Sequence, residues 1–235
     1  MVIRGAALAL ALAMAGPAVA QDQCRLALLL GVDVSASVDP SEYVQQTSGL
    51  AAALIAPEIV EAFLNGPGPV ALSIFEWSGR FQQDLVLDWT LVTSEADLTR
   101  IAERVARQQR RHQDFPTALG YALGYAAGHF ASAPPCLFQT IDISGDGMNN
   151  DGFDPAAAYE HFPFEGITVN ALAIGGASRG IEEYFLTEVI RGPGAFVEYA
   201  ATHDDFAEAI RRKLERELRV MILGGLALPT GQLPR

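Results

Sequence analysis

The chain has 235 residues, half of them hydrophobic and 19% charged. This length and composition specify one globular domain, or at most two, and exclude collagen-like, mucin-like and disordered chains. With 16 Lys and Arg against 28 Asp and Glu the formal net charge is -12, which repels nucleic acid and anionic membrane surfaces and favours metal cations and basic partners.

The first twenty residues have the pattern of a cleaved signal peptide. Arg4 precedes an apolar run from Gly5 to Ala15, a Gly16-Pro17 break and the small-x-small triplet Ala18-Val19-Ala20. The run is too short to span a bilayer, which needs about 20 apolar residues. Lipidation at Cys24 would want small residues directly before it, where Asp22-Gln23 stand. Near the other end Val220 to Leu228 is apolar, but it too is short for a span. An exported protein, periplasmic or secreted and without stable membrane insertion, is expected. Its two cysteines, Cys24 and Cys136, then read as a single disulfide, with two buried free thiols as the alternative.

In chain order, Arg25 to Asp33 is a nearly continuous apolar run of strand length, the pattern of a central parallel strand buried on both faces. Asp39-Pro40-Ser41-Glu42 opens a helix, with Asp39 as N-cap, Pro40 in the first turn and Glu42 completing a capping box. This helix is expected to reach about Ile55, break at Pro57 and resume to Leu64. Val70 to Trp77 reads as a second strand and Phe81 to Trp89 as a half-exposed third. The short Ser78-Gly79 link makes these an antiparallel pair.

Helices follow at 93–109 and 117–130, then buried strands at Leu137 to Ser144 and Ile167 to Ile174 and a short last strand at Ala195 to Tyr199. Further helices are expected at about Ile181 to Ile190 and His203 to Arg219. Strands alternating with helices predict a three-layer α/β fold with a parallel-dominated sheet. No linker or repeat divides it, so one domain is expected at 24–219, followed by a tail at 220–235.

The polar residues cluster at strand carboxyl ends, where open α/β sheets bind ligands. The first strand leads into Asp33-Val34-Ser35-Ala36-Ser37, and Leu137 to Ser144 leads into Gly145-Asp146-Gly147, where glycines permit a tight turn. Between them lies Asp114-Phe115-Pro116-Thr117, with Thr117 at a helix start. Carboxylates and hydroxyls without Cys or His are hard oxygen donors, suited to Mg²⁺, Mn²⁺ or Ca²⁺.

These residues resemble the von Willebrand factor A domain, or integrin I domain, whose metal-ion-dependent adhesion site has the pattern D-x-S-x-S, then T, then D. The matching positions are Asp33, Ser35, Ser37, Thr117 and Asp146. The chain is closest in look to an uncharacterised group of exported bacterial proteins with such domains. The resemblance implies a doubly wound sheet of six strands in the order 3-2-1-4-5-6, with strand 3 an antiparallel edge. It also implies direct metal contact from the Ser35, Ser37 and Thr117 hydroxyls, aspartates acting through water, and a cation free to bind a partner's carboxylate. Asp114 is an alternative to Thr117, and Asp142 is an extra carboxylate inside a strand, held by a hydrogen bond or by the metal's surroundings. The implied order makes the Cys24 and Cys136 strands neighbours about 4.8 Å apart, within the reach of a disulfide.

Other readings compete. Gly176-Ala177-Ser178-Arg179-Gly180 has the G-x-S-x-G form of a hydrolase elbow, but only Glu198 and His203 follow as acid and base, and a Gly-rich loop is the better reading. Asn149 to Asp154 reads as Asx turns at the rim, with a weak calcium site as the alternative. The histidines His112, His129, His161 and His203 lack zinc-ligand spacing. Arg107, Arg110 and Arg111 form either a solvated helix end or a patch steering an acidic partner. Trp77 and Phe115 are candidate aromatic anchors at a metal rim. The sequence therefore points to a non-enzymatic, metal-dependent binding module, against a hydrolase or a structural subunit with a vestigial site.

Overall fold

The computed structural model describes residues 23–175 and 180–225; the expected signal peptide and Ser178 lie outside them. Six strands form one sheet: β1 Leu26–Asp33, β2 Val70–Trp77, β3 Gln83–Val92, β4 Phe138–Gly145, β5 Ile167–Ile174 and β6 Val197–Ala200. Their order is β3-β2-β1-β4-β5-β6, parallel except for β2 with β3. The helices are α1 Pro40–Leu54, α2 Pro57–Leu64, α3 Glu95–Ala106, α4 Leu119–His129, α5 Pro155–His161, α6 Ile181–Tyr184 and α7 Phe206–Gly225.

Every residue of β1 is buried, because helices cover both faces of the sheet. Leu26, Leu28, Leu30 and Val32 pack with α1, α2, α3 and α7, while Ala27 and Leu29 face the layer of α4, α5 and α6. This is the two-residue period of a strand with two apolar sides. Among the described residues no single helix is long and apolar enough to cross a membrane.

The start of α1 is the expected capping box. Asp39 Oδ1 accepts from the amides of Ser41 and Glu42 at 2.7 and 2.9 Å, and the Asp39 amide donates to Glu42 Oε2 at 2.7 Å. At the opposite end of the sheet Cys24 and Cys136 are disulfide-bonded, their Cα atoms 4.4 Å apart, because Leu26 and Phe138 are register partners on neighbouring parallel strands.

Four details differ from the sequence reading. The third strand starts at Gln83, and Phe81 sits in the preceding turn, 83% exposed. Extra residues on β3 shift its register against β2, so Val86 and Leu87 are both buried and the alternation is lost. A helix unread in the sequence, α5, joins β4 to β5; Asp154 caps it by accepting from the Ala157 amide at 2.8 Å. Finally, α3 ends at Ala106, ahead of Gln109, and α7 runs past Arg219 to Gly225.

Candidate metal centre

The polar cluster lies at the carboxyl ends of β1 and β4, the two neighbours at which the strand order reverses. Asp33 closes β1 and accepts from the Ser35 amide at 2.7 Å, a turn that aims the next hydroxyls inward. Ser35 Oγ is 3.1 Å from Ser37 Oγ. Ser37 donates to Asp146 Oδ1 at 2.6 Å, and Thr117 donates to Ser35 Oγ at 3.1 Å. All five side chains named by the D-x-S-x-S, T and D pattern therefore join one hydrogen-bonded cluster. Asp33, Ser35, Thr117 and Asp146 are buried, and Ser37 is exposed at its mouth.

Thr117 stands in the loop before α4, not within the helix. Its amide donates to Asn150 Oδ1 at 2.9 Å and its carbonyl accepts from the Asn150 amide at 3.0 Å. Asp114 is exposed and outside the cluster. The glycines beside Asp146 do not supply left-handed backbone, since neither has a positive φ. They are needed for close approach: a Cβ on Gly145 would lie 3.0 Å from Asp33 Oδ2, and one on Gly147 would lie 3.1 Å from Thr117 Oγ1.

The electrostatics are those of crowded carboxylates. Burial, reinforced by the Asp146 charge, pushes the Asp33 carboxyl up to about 8. Asp146 is also raised by burial, against the opposing Ser37 hydrogen bond and His203. Among the described residues Asp33 Oδ2 is buried without a hydrogen-bond partner, a costly arrangement for an anion unless a cation or water compensates it. Among the described residues no group of three or more His, Cys, Asp or Glu side chains could hold a metal, so a cation here must draw on the hydroxyls as well. Two carboxylates and three hydroxyls are the donor set that a hard divalent cation takes.

Several candidate residues are placed elsewhere. Asp142 points away from the cluster to Lys213 on α7, with Nζ 2.6 Å from Oδ1, so it is no part of the cluster. Trp77 is fully buried and cannot anchor a partner, whereas Phe115 is 37% exposed. In the Asn149 to Asp154 run, Asn149 and Asn150 accept from the amides of Gly120 and Thr117, Asp151 pairs with Arg80 and Asp154 caps α5. These side chains tie the loop to α4, to Arg80 and to the start of α5.

The fold also brings in residues the motif did not announce. His203, buried at the turn before α7, meets Glu42 Oε1 through Nδ1 at 3.0 Å, close enough for the pair to bear on the Asp146 carboxyl. A Ser–His–Asp set occurs at Ser73, His129 and Asp88, but one nitrogen, His129 Nε2, faces both Ser73 Oγ at 3.1 Å and Asp88 at 3.7 Å. A relay needs two different ring nitrogens, and Ser73 is fully buried and donates to the Leu87 carbonyl.

The family model described as "Protein of unknown function (DUF1194)" matches residues 23–222. The chain belongs to that family. Its fold is that of the von Willebrand factor A domains. Proximal thread matrix protein 1 from the mussel byssus, solved with a zinc-occupied metal-ion-dependent adhesion motif, shares 15% identity at a TM-score of 0.59 over 85% of this chain and 48% of its own. A von Willebrand factor type A protein from Catenulispora acidiphila shares 16% identity at a TM-score of 0.59 over 83% and 43%. The PilB minor pilin of Streptococcus sanguinis shares 14% at 0.63 over 89% and 64%. The chain thus spans about half the length of the mussel and Catenulispora proteins. No curated protein matches it in sequence.

Proposed function

We propose that this chain is an exported binding module that holds a divalent cation, Mg²⁺ or in its place Mn²⁺ or Ca²⁺, and through it an acidic group of a partner protein. The supporting observation is the convergence of Asp33, Ser35, Ser37, Thr117 and Asp146 around a buried Asp33 oxygen that lacks a hydrogen-bond partner. A bound cation would supply an electrophilic coordination position for a carboxylate. The three neutral hydroxyls would be its direct donors, and Asp33 and Asp146 would supply countercharge through water, so that the cation keeps its pull on a carboxylate. The signal-like residues 1–20 and the Cys24–Cys136 bridge support export to an oxidising compartment. The matrix-protein and pilin likenesses support binding over turnover.

The test is capture of partners from an extract of exported proteins in Mg²⁺ and in EDTA, with Asp33→Ala as control. Capture that depends on Mg²⁺, fails for the variant and is competed by millimolar acetate or glutamate supports the reading. Metal-independent capture, or cleavage of ester or peptide substrates, overturns it.

A further inference from the structure

We propose that Arg110 is the positioning residue of the metal loop, holding Val34 to Val38 in the shape that converges Ser35 and Ser37; this rests on the metal-binding reading above. Arg110 lies beyond the end of α3, within the cluster of Arg107, Arg110 and Arg111, but the three arginines have separate roles. Arg107 pairs with Glu103 on the surface at 2.9 Å, and Arg111 reaches Asp84 at 3.6 Å. Among the described residues Arg110 meets no carboxylate within salt-bridge distance. Its Nη2 donates to the carbonyls of Val34 and Ser35 at 2.7 and 2.8 Å, its Nη1 to the Val38 carbonyl at 2.8 Å, and its Nε to the His112 carbonyl at 3.0 Å.

Three of these acceptors belong to the five-residue segment that carries both serine ligands. Three amides of the same segment have partners of their own: Val34 donates to the Trp77 carbonyl and Ala36 to that of Phe115, while Val38 closes the loop on the Ser35 carbonyl. The guanidinium thus gathers the carbonyls on one side of the loop, leaving the Ser35 and Ser37 hydroxyls to meet Thr117 and Asp146. It is itself held in place. It lies over the Tyr43 ring at 5.9 Å, Tyr43 donates to Glu76 Oε1 at 2.7 Å, and Gln108 donates to Glu76 Oε2 at 3.3 Å. Tyr43 also packs with Val34 and Val38 in a small core of their own.

A planar fork with fixed N–H directions holds three carbonyls in one set geometry, which the compact, freely rotating ammonium of a lysine does not reproduce. Groups that orient ligands without touching the metal commonly change affinity by about 10- to 100-fold when removed, because a loop ordered beforehand spares the cation the entropy of ordering it. Arg110 also places a positive charge within reach of Asp33, so its effect on affinity must be separated from charge alone.

Mn²⁺ alone is the probe, with binding to the purified protein followed by electron paramagnetic resonance. Arg110→Lys retains the charge but not the fork, Arg110→Gln removes both, and Arg107→Gln is the surface control. We expect Mn²⁺ affinity to fall about 10-fold or more in both Arg110 variants. Amide exchange at Val34, Ala36 and Val38 should quicken, and the control should match the parent. Parental affinity and exchange in Arg110→Lys overturn the positioning role while the metal reading stands. A parent that binds no Mn²⁺ overturns both. If Arg110→Gln does not fold, Arg110→Lys decides, with its melt in EDTA establishing that it is folded.

Discussion

Lys213 Nζ on α7 lies 2.6 Å from Asp142 Oδ1 in the middle of β4, and both side chains are inaccessible to water. The same ammonium is 2.8 Å from Glu217 Oε1, which also accepts from Asn170 on β5 at 2.9 Å. One cation and two carboxylates thus tie the last helix to the centre of the sheet.

Removing the cation leaves the Asp142 and Glu217 carboxyl groups buried without the donor they share. Breaking a buried pair from one side typically costs about 3–5 kcal/mol, whereas replacing a whole buried network by apolar residues of similar volume can be neutral. Lys213→Met should therefore destabilise by several kcal/mol in urea unfolding, and Lys213→Met with Asp142→Leu and Glu217→Leu by much less. A Lys213→Met cost below about 1 kcal/mol, the range of a surface pair, contradicts the burial argument.

The same network sets a pH dependence. Burial, with the Glu217 charge adding to it and Lys213 opposing, pushes the Asp142 carboxyl up to about 8. The folded state therefore keeps a proton that the unfolded chain releases near pH 4, and this contribution to stability is present below about pH 4 and lost as pH rises toward 8. The parent should lose stability relative to Asp142→Asn across that window, by at most about 1.4 kcal/mol per pH unit. Parallel stability curves for the two proteins would refute the shift.

Divalent cations should raise the melting temperature, because a ligand that binds only the folded state stabilises it by about 2.7 kcal/mol at a hundred times its dissociation constant. Melts in EDTA and in millimolar Mg²⁺ or Mn²⁺ should differ for the parent and superimpose for Asp33→Ala. Superimposed parental melts would remove the metal from the site.

Thiol titration of the denatured, unreduced protein should find no free thiol, because Cys24 and Cys136 are bridged. The bridge closes a loop of 112 residues, and in the chain-entropy model such a closure stabilises by about 4–5 kcal/mol, usually an upper figure. Cys24→Ser with Cys136→Ser should therefore lower stability by about 2–5 kcal/mol while leaving Mn²⁺ binding at the far end of the sheet unchanged.

Much of the fold was readable in local pattern. The continuous apolar run of β1, the Asp39-Pro40-Ser41-Glu42 cap and the Phe206, Ile210, Leu214, Leu218 stripe of α7 each depend on neighbours a few residues apart, and periodicity records such neighbours. The chain's α5 was missed because only seven residues form it, too few for a period to show, although Asp154-Pro155 repeats the Asp-Pro opening of α1. The β3 alternation misled because a bulge is a property of the strand pair.

By itself the sequence determined which donors the candidate site contains, since Asp33, Ser35 and Ser37 are placed by one turn and Thr117 and Asp146 by the ends of their own segments. Only the tertiary structure decided that Asp142 belongs to Lys213 and Glu217, that Trp77 is core, that Gly145 and Gly147 make room for Asp33 and Thr117, and that Arg110 grips the Val34 to Val38 loop. Each of these is a contact between residues tens of positions apart on different elements. A side chain's partner across such a gap depends on how helices pack on a twisted sheet, and local periodicity carries no record of that packing.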